Sequence, residues 1–132
     1  MLKIDAYSNE TALIGRLLYS AMFVLYGYFK ITAFAGTTAY MAKQGLPAPA
    51  LFAALAVLLE LVFGLLLLVG YQTRLVALTL GIYCIVAALI AHTHWADANQ
   101  LSHFWKNISI AGGGFALAAI GGGVYSMDAK RA

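Results

Sequence analysis

Charge is what this chain has least of. Only 10% of its 132 residues are Asp, Glu, Lys or Arg, against 63% hydrophobic residues, whereas a soluble domain carries about 25% charged side chains. So few charges cannot cover a water-facing surface, which excludes an ordinary soluble fold. Cysteine is scarcer still. Cys84 stands alone, so an intramolecular disulfide and a dithiol redox pair are both excluded, and its apolar surroundings predict a small buried side chain. Also lacking are a glycine-rich phosphate loop, a hydrolase elbow and a pair of catalytic carboxylates. No linker divides the chain, which is read as a single domain over residues 1–132. The formal charge of +3 comes from basic residues scattered singly between apolar runs, so no patch for nucleic acid forms and nucleic acid is not an expected partner.

What is present is a set of long apolar runs. A spanning helix needs about 20 mostly apolar residues, and four segments qualify, at about 13–35, 47–69, 74–91 and 104–124. Backbone polar groups inside lipid must be satisfied internally, and runs that are continuous rather than alternating select helices over a barrel. The fold class predicted is therefore all-α, an antiparallel bundle of four transmembrane helices with membrane lipid as its surroundings. Gly45-Leu46-Pro47 closes one element and opens the next. Gly70-Tyr71-Gln72-Thr73 is short enough to make the second and third helices antiparallel neighbours. The stretch from Phe34 to Gln44, with Thr37, Thr38, Tyr40 and Lys43, reads as a short interfacial helix between the first two spans. The first run is too long for a signal peptide, carries Lys30 near its far end and lacks a clear small-x-small cleavage site, so it is read as a retained anchor.

Orientation follows from the basic residues. Lys3, Arg16, Arg74, Lys130 and Arg131 fall on one side, against Lys30, Lys43 and Lys106 on the other. That bias puts both termini in the cytoplasm. Phe34, Tyr40, Trp95, Phe104 and Trp105 then mark the outer interface, with Tyr71 and Tyr125 at the inner one. Gly114, Ala118 and Gly122, and Ala77 with Gly81, repeat at four-residue spacing. Such faces let helix backbones approach closely, within one chain or, as a second use, between copies in an oligomer.

Ionisable groups inside lipid cost several kcal/mol unless paired or hydrated, which makes each a candidate for function. Glu60 is the sharpest, at ~14 Å from the inner end of its run and hence near the bilayer midplane. It must be protonated, paired or facing a wet cavity, and it is the one candidate catalytic residue. Arg16, about a turn inside the first run, is its first expected partner, since their levels differ by only ~8 Å on the helix rise; Lys30 and Lys106 rank as more distant ones. A purely structural pair that fixes helix register weighs as much as a functional one. His92, His94 and His103 gather near Asp97 between the third and fourth runs, but their spacing matches no closed metal site, so they are weak metal candidates only.

Arg16 with Phe23, Gly27 and Lys30, then Gly45-Leu46-Pro47, Leu59-Glu60-Leu61 with Gly64 and Gly70, Thr73-Arg74 and Phe104-Trp105-Lys106-Asn107 together resemble the DoxX family over nearly the whole chain. The resemblance implies a four-helix protein of the bacterial inner (cytoplasmic) membrane and a polar centre at Arg16, Lys30, Glu60, Lys106 and Asn107. It also implies an association with quinone-linked redox complexes, with quinone as the ligand or cofactor and other redox-complex subunits as partners. Three functions compete on this reading. The first is a non-catalytic or accessory membrane protein, such as a subunit of a quinone-linked redox complex, whose polar centre binds a small lipidic ligand or fixes the bundle. The second is a quinone oxidoreductase in which Glu60 passes protons and Arg16 or Lys30 polarises a carbonyl. The third is a small-solute transporter formed by an oligomer.

Overall fold

In a computed structural model, residues 7–131 are described; Lys3, counted above on the side with more positive charge, lies outside them, as does Ala132. All regular structure among the described residues is helical. The helices are α1 (Ser8–Thr32), α2 (Phe34–Lys43), α3 (Pro49–Val69), α4 (Thr73–Ala91), α5 (Ala98–Ile120) and the short α6 (Met127–Arg131). By length and composition three of them can cross a membrane: α1, α3 and α4. Helix α5 is as long, but its first turns carry Asn99, Gln100, Ser102, His103, Lys106 and Asn107, which dilute its apolar character.

The four long helices, α1, α3, α4 and α5, each bury one stripe. On α1 that stripe is Arg16, Ser20, Phe23 and Gly27, spaced four, three and four residues apart, and Lys30 continues it by one turn. Helix α4 buries Thr73, Val76, Ala77, Leu80, Gly81, Cys84 and Ala88. The free Cys84 thiol lies in this core. Outward faces are apolar as well. Leu18 is 72% exposed, Leu51 58% and Leu75 61%, an inversion of soluble-protein surfaces that suits a hydrocarbon surround.

Two glycines end their helices in the left-handed region that only glycine enters without cost. Gly45 (φ 78°) closes α2 with Leu46 N donating to Met41 O, and Gly70 (φ 72°) closes α3 with Tyr71 N donating to Leu66 O. Both are six-to-one Schellman closures. They make the short connections that bring consecutive helices back against one another. Elsewhere small residues set the spacing between helices. Gly114 of α5 lies against Ala77 O and Gly81 of α4, and Gly81 against Phe115, so part of the small-residue pattern is used inside the chain.

The end of the molecule that holds Gly70 and the C-terminal segment is locked by reciprocal capping. Asp128 Oδ1 accepts from Gln72 N at 2.7 Å and Oδ2 from Thr73 N at 2.8 Å, while Asp128 N donates to Gly70 O at 2.9 Å. A side chain from α6 thus caps the N-terminus of α4. Arg74 in turn donates to the carbonyls of Ala118, Ala119 and Ile120, the last of α5, where a cation complements the helix end. Burial raises the proton affinity of the Asp128 carboxyl, but its hydrogen bonds with Thr73 and Gln72 and the charge of Arg131 outweigh this, and its pKa lies below the ordinary carboxylate value. Because the folded pKa is the lower of the two, the stabilisation is complete above the unfolded value of about 3.9 and is lost as pH falls through the folded one. An acid titration of thermal stability should therefore show a loss below pH ~4 that Asp128→Asn removes, the variant starting from a lower midpoint at neutral pH.

Candidate functional site

Glu60 lies in the middle of α3, where the α-helix widens into a π-turn over Leu58–Val62. Such turns insert one residue into the ladder and often mark functional positions. The turn lies opposite Gly27 of α1. A Cβ at Gly27 would run into the backbone N of Leu61 and stand 2.8 Å from its Cα, so only glycine allows this approach. One turn farther along, Lys30 reaches the carboxylate. Its Nζ donates to Glu60 Oε2 at 2.7 Å, and from α4 the hydroxyl of Tyr83 donates to Glu60 Oε1 at 2.6 Å. Both carboxylate oxygens are thus held by charge-assisted hydrogen bonds. Lys30 also stands 5.6 Å from the centre of the Tyr26 ring, a cation–π distance.

This cluster forms part of the wall of a partly open cavity of about 650 Å³ lined by residues of α1 to α5. The size is that of a site for a drug-sized molecule. Met22, Phe23, Leu59, Val86 and Ile110 supply apolar lining, and Lys106, Asn107, His92 and His103 line it as well. Of the five residues expected at a polar centre, four therefore meet on one cavity: Lys30, Glu60, Lys106 and Asn107.

The fifth does not. Arg16, expected as the partner of Glu60, is 2% exposed and lies in the opposite half of α1 from Lys30. It donates from Nη1 to Gly122 O at 2.6 Å and from Nη2 to Tyr125 O at 2.7 Å. The expected pairing fails because the first two apolar runs are not level. With Gly27 facing Leu61, the start of the first run at Leu13 projects ~9 Å past the end of α3 on the helix rise, which lowers Arg16 and brings Lys30 to the carboxylate.

Tyr83 was not among the residues expected at the site. The signal for it was a tyrosine halfway along an apolar helix, away from either interface where tyrosines anchor. The histidines divide. His92 and His103 stack with ring centres 5.1 Å apart, and His92 Nδ1 lies 2.8 Å from Gln100 Oε1. His94 is exposed and does not line the cavity. Among the described residues no group of three or more His, Cys, Asp or Glu side chains is gathered closely enough to hold a metal ion. Asp97 caps α5 through Asn99 N at 2.8 Å, and this cap starts the helix earlier than the expected 104.

A π-turn acid in the second run, paired with a lysine from the first, lies within the stretch that carries the family comparison: the DoxX profile matches residues 11–93. The chain belongs to the DoxX family. It is 37% identical over 123 residues to the inner membrane protein YphA of Escherichia coli K12, covering 89% of this chain and 88% of that one. It is also 38% identical over 116 residues to the inner membrane protein YqjF of the same organism, covering 88% of each. No solved structure matches it. As an integral membrane protein of the DoxX family, the chain places its Lys30–Glu60 pair on α1 and α3, both inside the matched stretch.

The tight contact at Gly27 gives a direct test of the packing that holds Glu60. Gly27→Ala should lower thermal stability by about 1–3 kcal/mol, the usual cost of overpacking. A detergent melt that matches the parent protein would mean that α1 and the π-turn separate freely.

Proposed function

We propose that this DoxX-family protein crosses the bacterial inner membrane four times, with α5 as the fourth span, α2 on the interface and both termini cytoplasmic. In this reading it binds a small lipid-soluble molecule in the cavity between its helices. The observation that carries the proposal is an acid–base–phenol cluster, Glu60 with Lys30 and Tyr83, on the wall of a largely apolar cavity of about 650 Å³. An ion pair that only fixed helix register would be packed closed. Here the Lys30 side chain keeps 26% of its surface accessible, and one donor bond leaves the ammonium with hydrogens to spare. The inner-membrane placement follows the two relatives, both named as inner membrane proteins, and the orientation follows the excess of positive charge at the end that carries the termini.

The quinone-linked accessory role implied by the family resemblance fits this reading. A quinone is apolar, of suitable size, and needs a hydrogen-bond donor at its carbonyl, which Lys30 supplies. Electrons would come from another subunit. Native mass spectrometry of the protein ejected from membrane-derived nanodiscs should show a small apolar adduct, with occupancy falling at least tenfold in Glu60→Gln. If neither protein carries an adduct, and neither ubiquinone nor menaquinone analogues raise the melting temperature, the cavity is not a binding site.

A further inference from the structure

The balance of charge around the cavity indicates which class of molecule fits it. Both oxygens of Glu60 are already engaged, Oε2 by Lys30 and Oε1 by Tyr83, so the cluster is neutral as a unit and its carboxylate has no oxygen free of a donor. Glu60 is also the only acidic side chain lining the cavity among the described residues. Asp97, the nearest acid in the α4–α5 connection, is occupied in capping α5 and is not part of the lining. Lys106 is a second cation on the cavity, and among the described residues no carboxylate lies within ion-pair distance of it. Lys106 is exposed where it lines the cavity, and an uncharged body laid over it would strip its ammonium of water at a cost. An oxyanion placed against it removes that cost through a charge-assisted hydrogen bond.

Groups beside Lys106 extend the same site. Asn107 spends one of its two amide hydrogens on His103 O at 2.9 Å and keeps the other. The imidazole of His103, stacked on His92, brings further ring nitrogens to the lining. The remaining wall towards Phe23 and Ile110 is hydrocarbon. Resting on the reading of this cavity as a site for a lipid-soluble molecule, we infer that the ligand it prefers is an apolar anion over a neutral quinone: a hydrocarbon or aromatic body lying between the helices, with one carboxylate or phosphate head held at Lys106. The same oxyanion chemistry is offered by a free amphiphile and by an anionic lipid.

Matched probes separate the charge from the body. The full chain is reconstituted in phosphatidylcholine nanodiscs, with empty discs as the partitioning control, and saturable binding of labelled dodecanoate and dodecanol is measured by scintillation proximity. Dodecanoate should bind at least tenfold more tightly than dodecanol, and Lys106→Gln should reduce that preference to within twofold through loss of dodecanoate affinity. Lys106 is exposed at the surface of α5, and a melting temperature equal to that of the parent protein reports that the variant is folded. Displacement of dodecanoate by phosphatidylglycerol identifies a membrane lipid as the source of the oxyanion; persistence identifies a free amphiphile. Equal affinity for acid and alcohol, or a preference that survives Lys106→Gln, overturns the anion assignment and leaves the cavity reading intact. Absence of saturable binding by either probe overturns both.

Discussion

Lys30→Met should cost the protein about 3 kcal/mol of stability, because it leaves a carboxylate buried without its counter-charge. The Glu60 side chain is only 9% exposed, and at that depth it cannot reach water by bending. Removing both charges together should be far milder. In Lys30→Met with Glu60→Gln the amide retains an oxygen for the Tyr83 hydroxyl, which stands 2.6 Å from Oε1 in the parent, and no ion is left unpaired. The two single losses should therefore exceed the double loss, with a coupling of up to ~3 kcal/mol in a double-mutant cycle. Unfolding in mixed micelles of increasing denaturing detergent supplies the three values. Strictly additive losses would mean that the pair is solvated through the cavity and contributes nothing to holding α1 against α3.

Much of this arrangement is legible in the sequence, and the part that is not has a definite cause. Apolar runs and their glycine boundaries locate the helices, because membrane helices announce themselves by composition and the Schellman glycines Gly45 and Gly70 mark where two of them stop. Glu60 is isolated by depth alone. What the sequence does not carry is the vertical offset between runs. Depth counted from the start of each apolar run assumes that all runs begin at one level, and α1 does not obey this because the Gly27 contact fixes it against the π-turn instead. The turn itself is invisible in Leu58–Val62, whose residues suit an α-helix equally well. Tyr83 is hidden for a related reason: a hydroxyl in mid-span gives no sign of its partner until a neighbouring helix supplies a carboxylate for it. Asp97, which the sequence sets beside the three histidines, starts α5 as its N-cap.

Arg16→Met separates the two ends of the molecule. The guanidinium bridges α1 to the carbonyls of Gly122 and Tyr125, and hydrogen bonds from a charged donor contribute about 1.5–3 kcal/mol each. Losing both, with the carbonyls left facing a methionine, should destabilise the protein by at least ~3 kcal/mol and lower its yield from membranes. Arg16→Lys should recover less than half of that loss, because a single ammonium cannot match the two-pronged geometry. Gly70→Ala should behave as a partial copy of the arginine loss, since the added methyl would run into Arg16 Nη1 and Ser126 Cβ. Ligand binding should respond differently. Arg16 lies ~21 Å along α1 from Lys30 on the helix rise, so the protein that remains folded should bind the cavity probes with parental affinity. A variant that keeps its melting temperature but loses those probes would return Arg16 to the binding site and undo its assignment as the clamp between α1 and the C-terminal segment.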